Sequence, residues 1–114
     1  MIRKIITYGD NFVKFYKSLD IKTQEKIEYV LDLVRFEKQV PIKFFKFLDD
    51  TNGIFEVRVI TTFKNIRILC FFDKGELVVL TNCFLKKTQK TPGKEIRIAE
   101  RLKNEYMTEK HGGQ

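Results

Sequence analysis

The chain has 114 residues, 43% hydrophobic and 32% charged, and its 22 Lys and Arg outweigh 15 Asp and Glu to give a formal net charge of +7. That length holds one domain around one core, and that balance of apolar and charged residues excludes a disordered chain. The basic excess points to a polyanionic partner: nucleic acid, a ribosome, an anionic membrane surface or an acidic protein.

Met1–Tyr8 alternates loosely and predicts an edge strand, ended by Gly9-Asp10. Its apolar run is too short for a signal peptide, and no run approaches the ~18 apolar residues of a membrane span. A cytoplasmic protein without a membrane partner is expected. Asp10 is placed to cap a short helix with Phe12, Phe15, Tyr16 and Leu19 at i, i+3, i+4, i+7. Asp20 caps a longer one, carrying Ile27, Val30, Leu31 and Val34 and closed by Pro41. Together they predict a helical hairpin on the apolar face of a sheet. Ile42–Gly53 follows with a basic-aromatic run, IKFFKFL, and a turn at Asp49–Gly53. Lys43 and Lys46 either line a groove there or flank buried phenylalanines.

Ile54 to Lys87 predicts a meander of three antiparallel strands rich in β-branched and aromatic residues. Its hairpins fall at Thr61–Lys64 and at Asp73–Glu76, where Gly75 is available for a positive φ. Closing the first symmetrically sets Arg58 opposite Arg67. Alternation then puts Phe55, Val57, Val59, Ile66, Ile68, Cys70, Leu77, Val79 and Cys83 on a core face. The other face carries Glu56, Arg58, Arg67, Asn82 and Lys86, grading into Leu69, Phe71, Val78 and Leu80. Cys70 should face Val79 and Cys83 face Ile66, as reduced core residues rather than a disulfide. Like charges directly opposite repel. The arginine pair therefore needs an anion: either Glu56 on a solvated polar face, or one brought from outside.

LKKTQKTP is the most basic short run, and Thr91-Pro92 reads as an N-cap followed by Pro at the first helical position. A helix over about Pro92 to Tyr106 should turn Ile96, Ala99, Leu102 and Tyr106 to one side, towards Leu69, Phe71, Val78 and Leu80. Lys94, Arg97 and Arg101 lie on another side. A single domain over 1–107 and a disordered tail over 108–114 are expected.

The one histidine, His111, lies in that tail, and there is no CxxC or HxxxH pairing and no Gly-rich phosphate loop. No metal or other cofactor is expected, nor Ser-His or Cys-His nucleophilic catalysis. What remains is a cationic face of Arg58, Arg67, Lys86 and Lys46, with Lys87, Gln89 and Lys90 at its rim. Arginine grips phosphate bidentately, and clustered cations stabilise a pentacovalent phosphorane. Such a face suits metal-free RNA cleavage, in which a lysine crowded by arginines loses its proton more readily and serves as base.

The order strand, two helices, meander resembles the RelE/ParE superfamily of bacterial toxin–antitoxin toxins, nearest to its HigB-like, phage-derived branch. The stretches that carry the likeness are Lys46–Leu48, Phe55-Glu56-Val57-Arg58, Ile66-Arg67-Ile68-Leu69 and, most specific, Phe84-Leu85-Lys86-Lys87-Thr88-Gln89-Lys90-Thr91-Pro92. The resemblance implies an α+β, RelE-like fold: a small antiparallel-meander sheet, an N-terminal helical hairpin on one face and a C-terminal helix. It also implies a ribosome-dependent mRNA endoribonuclease (an mRNA interferase) that cuts translated messages in the ribosomal A site, with ribosomal RNA as a further partner, and inhibits translation. Its cognate helix-turn-helix antitoxin neutralises it. Arg58, Arg67, Lys86 and Lys87 match the family's basic catalytic positions; Lys46, Gln89, Lys90 and Lys94 are expected, from their place on and around the cationic face, to bind substrate. Many members carry a tyrosine or an Asp/Tyr/His group near the C-terminus as acid or base. That spacing falls here on Thr91-Pro92-Gly93, so the general acid and base are unassigned. A ParE-like gyrase poison and a catalytically silent nucleic-acid-binding module are the alternative readings.

Overall fold

The computed structural model describes residues 1–112. Eight elements follow one another: β1 (Lys4–Thr7), α1 (Asn11–Lys17), α2 (Ile21–Phe36), β2 (Phe45–Phe47), β3 (Phe55–Ile60), β4 (Asn65–Phe72), β5 (Leu77–Leu85) and α3 (Gly93–His111). The strands form one sheet in the order β1-β5-β4-β3-β2. β1 is an edge strand, as expected, and runs parallel to β5, while the other pairs are antiparallel. The basic-aromatic run supplies the opposite edge, β2, a strand of three residues that the sequence did not reveal.

The first hairpin closes as the sequence predicts. Thr61 N donates to Lys64 O at 2.8 Å, Ile60 pairs with Asn65, and Arg58 stands opposite Arg67. The second pairing departs from expectation. Its loop is one residue longer, with Asp73 N donating to Leu77 O and Gly75 at φ +63°, so Cys70 faces Leu80 and not Val79. A β-bulge then sets two β5 residues, Thr81 and Asn82, against Leu69, so Cys83 faces Ile68 and not Ile66. Each one-residue slip moves side chains to the opposite face. Val78 and Leu80 therefore join the core under the helical hairpin, while Leu77 and Val79 turn to the other side. Past the bulge the two slips cancel, and Cys83 returns to its expected face. Both cysteines are buried free thiols.

Two apolar layers result. One packs Phe12 of α1 and Ile27, Val30, Leu31 and Val34 of α2 against Val57, Val59, Ile66, Ile68 and Cys70. The other packs Ala99 and Tyr106 of α3 against Leu69, Phe71, Val79 and Phe84. Asp20 caps α2 by accepting from Thr23 N at 3.2 Å. The helix stops at Phe36, short of Pro41, where the Arg3 guanidinium donates to the free Val34 and Glu37 carbonyls at 2.9 and 2.8 Å.

α3 extends further than predicted. Residues 108–111, expected in a disordered tail, continue the helix because the β4–β5 hairpin holds them. Tyr106 donates its hydroxyl to Asp73 Oδ2 at 2.7 Å, and His111 Nε2 lies 2.9 Å from Asp73 Oδ1. Gly113 and Gln114, the rest of that expected tail, lie outside the described residues. At the other end of the helix, Pro92 and not Thr91 is the N-cap residue.

The bulge is tied to α3 through Asn82, whose Nδ2 donates to Glu95 O at 3.1 Å and Glu95 Oε1 at 3.0 Å. Asn82→Ala leaves these acceptors without their donor and should cost about 2 kcal/mol. Urea unfolding should show this as a lower midpoint at unchanged m.

Candidate functional site

The site is built around the opposed arginines of β3 and β4. Glu56 lies two residues before Arg58, hence on the same face, and is fully buried. Arg58 Nε donates to its Oε1 at 3.0 Å, while Arg67 Nε lies 3.5 Å from its Oε2. Thr91 completes the cluster by donating its hydroxyl to Oε2. That bond explains the helix start, since the hydroxyl expected to cap α3 is engaged by Glu56.

The two arginines are not equivalent. Arg67 is 4% exposed. Its Nη1 donates to Asn65 Oδ1 and to Ile66 O, but its buried Nε has no hydrogen-bond partner among the described residues. Burial lowers the Arg67 pKa from its ordinary value; the Glu56 charge opposes this and Arg58 adds to it. Arg58 is only partly buried and opens onto a groove of about 370 Å³.

Lys46, Arg58, Lys86, Gln89 and Lys90 line that groove together. Lys46 arrives as the cross-strand partner of Glu56, and Lys86 is fixed just past β5 by its N–H donating to Asn65 O at 2.7 Å. Burial, then the charge of Arg67, lowers the Lys86 pKa below its ordinary value, with Glu56 opposing. Leu48, Asp49, Asp50, Glu56, Thr91 and Ile96 complete the lining, so three carboxylates face the groove beside its four cations. Lys87 and Lys94 are exposed and are not among the residues that line the groove. Arg67 is buried and is not among the residues that line the groove. No group of three or more His, Cys, Asp or Glu able to hold a metal ion occurs among the described residues. Among the described residues, no helix is long and apolar enough to cross a membrane.

Glu56 is the neutralising partner that the sequence offered for the arginines, but it is a buried centre rather than a member of a solvated face. The part Thr91 plays left no signal in the sequence, because its contact with Glu56 spans 35 residues. The arrangement offers a carboxylate that fixes the arginines and lines the groove with them, beside Lys46, Lys86 and Lys90, whose charges an anion can approach.

Removing the carboxylate leaves two buried or half-buried cations face to face. Glu56→Ala should cost about 3–5 kcal/mol in chemical unfolding, far more than Lys90→Ala at the exposed rim.

No curated protein sequence matches the chain. Among solved structures, the archaeal RelE-RelB complex from Pyrococcus horikoshii OT3 contains a chain of similar fold, with a TM-score of 0.55 at 19% identity; the match covers 80% of the present chain and 100% of that one. At that identity the likeness establishes the fold, which is RelE-like. Residues 14–104, most of the chain and all of the groove-lining residues, match the family described as Phage derived protein Gp49-like (DUF891), and the chain belongs to that family.

Proposed function

We propose that this protein is the toxin of a toxin–antitoxin pair, of the HigB-like branch, and that it is a metal-independent, ribosome-dependent mRNA endoribonuclease. The observation that carries the reading is the convergence of Lys46, Arg58, Lys86 and Lys90 on one groove, which Glu56, paired with the buried Arg67, also lines. The scissile phosphate enters the groove against Arg58 and Lys86. Neutral Lys86 takes the proton from the 2′-OH, whose oxygen attacks the adjacent phosphorus. The bond to the 5′ oxygen breaks, leaving a 2′,3′-cyclic phosphate, and a protonated lysine of the same wall, Lys46 or Lys90, protonates the departing oxygen. Arg67 supports the phosphorane's charge from beneath, while Gln89 contacts the neighbouring nucleotide.

The Pyrococcus protein of like fold occurs as a RelE-RelB complex. By extension, a cognate helix-turn-helix antitoxin holds this toxin inactive in the cytoplasm, and the ribosomal A site, with its mRNA and ribosomal RNA, is where the toxin acts. The fold is common to nucleases and gyrase poisons, so the groove's chemistry favours the nuclease rather than the fold itself.

Primer extension on a defined message with purified ribosomes tests this reading. Wild type should give discrete, ribosome-dependent cuts within codons, while Arg58→Ala and Lys86→Ala should lower the rate about 100-fold or more. Intact message from folded wild-type protein would favour the gyrase-poison reading.

The base role has its own signature. A lysine base must be neutral to act, so the rate should rise with pH and level off above the Lys86 pKa, which burial and Arg67 hold below the ordinary lysine value. Lys86→Ala should abolish that limb, and a profile unchanged in the variant would assign the base elsewhere.

A further inference from the structure

Beyond Arg58 the cationic surface continues along β3 to the tip of the β3–β4 hairpin. A second groove shares Arg58 with the first and is lined also by Lys26, Lys43, Phe44 and Ile60, with no carboxylate among its described lining residues. A third shares Lys26 and Ile60 with the second and continues past Lys22, Lys64 and Phe63. Its one lining carboxylate, Asp20, is already engaged, accepting from the Thr23 backbone and hydroxyl and from Lys64 Nζ at 3.1 Å. Lys22 and Lys26 therefore keep an uncompensated charge beside it.

Phe63 ends this path. It is 93% exposed, and Ile60 beside it is 57% exposed. The ring is presented by a tight turn: the N–H groups of Phe63 and Lys64 donate to Thr61 Oγ1 at 3.3 and 2.9 Å. So exposed a phenylalanine adds almost nothing to the core, and burying it elsewhere would be favourable.

We infer that the three grooves form one track for single-stranded RNA, with its phosphates on Lys26, Lys22 and Arg58 and a base stacked on Phe63. Base faces are available only in an unpaired strand, and an aromatic platform at the end of a positively charged groove is how such strands are held without sequence preference. An acidic peptide would use the cations but has no base to lay on the ring. Arg58 and Ile60 are roughly 7 Å apart along the strand, so an RNA centred on Arg58 needs several nucleotides to reach the tip. The inference rests on the proposed reading of the first groove as an RNA site and extends it to a longer substrate contact.

Fluorescence anisotropy with uncleavable 2′-O-methyl RNAs, a trinucleotide and an octanucleotide, tests the track over a range of salt concentrations. The octanucleotide should bind more tightly than the trinucleotide. Phe63→Ala should weaken the octanucleotide about tenfold and leave the trinucleotide unchanged, and Phe63→Tyr should restore binding. Lys22→Ala with Lys26→Ala should reduce the octanucleotide's salt slope by about 1.4. Equal affinity for the two lengths, an octanucleotide indifferent to Phe63→Ala, or competition by polyglutamate as effective as by RNA would overturn the track. Failure of the first groove reads differently: Lys86→Ala would leave both affinities unaltered while Phe63→Ala still weakened the longer RNA.

Discussion

The structure depends on one buried carboxylate. Two arginines directly opposite on neighbouring strands repel each other, and a sheet carrying them needs a negative charge close by. Glu56 supplies it, taking a hydrogen bond from Arg58 and lying within ion-pair distance of Arg67. The same carboxylate accepts the Thr91 hydroxyl and so fixes where the chain enters α3. One acidic side chain thus sets the spacing of the cations and the position of the segment that walls the groove. Buried ion pairs add little net stability but are costly to break. The cluster is accordingly better understood as a device for holding charge in place than as a source of folding energy.

Glu56 does not use up the cations. Arg58 is 24% exposed along its side chain, and Lys86, Lys46 and Lys90 share its groove. Glu56 lines the groove as well, but its two oxygens are already engaged by Arg58, Arg67 and Thr91. Burial beside these charges also disfavours the protonated form of Lys86, which prepares a lysine to exchange protons. Structure and chemistry here follow from the same crowding.

Much of this was legible in the sequence, for reasons that differ by element. The β3–β4 register could be read because Thr61–Lys64 closes the hairpin symmetrically, and Arg58 opposite Arg67 followed at once. The α1 and α2 faces were carried by clear helical periodicity. The β5 register was not legible, since a longer loop and a bulge each slip it by one residue. The adjacent polar pair Thr81-Asn82 inside an apolar run was the trace of the bulge. The length of α3 was hidden too, because Tyr106 and His111 meet Asp73 only once the hairpin has folded. Within the site, five of the eight expected residues line the groove: Lys46, Arg58, Lys86, Gln89 and Lys90. Arg67 is buried beside Glu56, while the exposed Lys87 and Lys94 are not among the lining residues, because adjacency in a basic run does not decide which side chains reach a groove.

In the proposed function, the Glu56-anchored arginines receive an RNA phosphate from the open side of the groove. The most direct measurement is the NMR response of the arginine side-chain Nε–H signals during titration with an RNA bearing a 2′-deoxy nucleotide at the cleavage position. Saturable movement of the Arg58 signal, with a smaller response from buried Arg67, is the predicted result. An RNA that binds while both signals stay in place would contradict the account and put the phosphate on another surface.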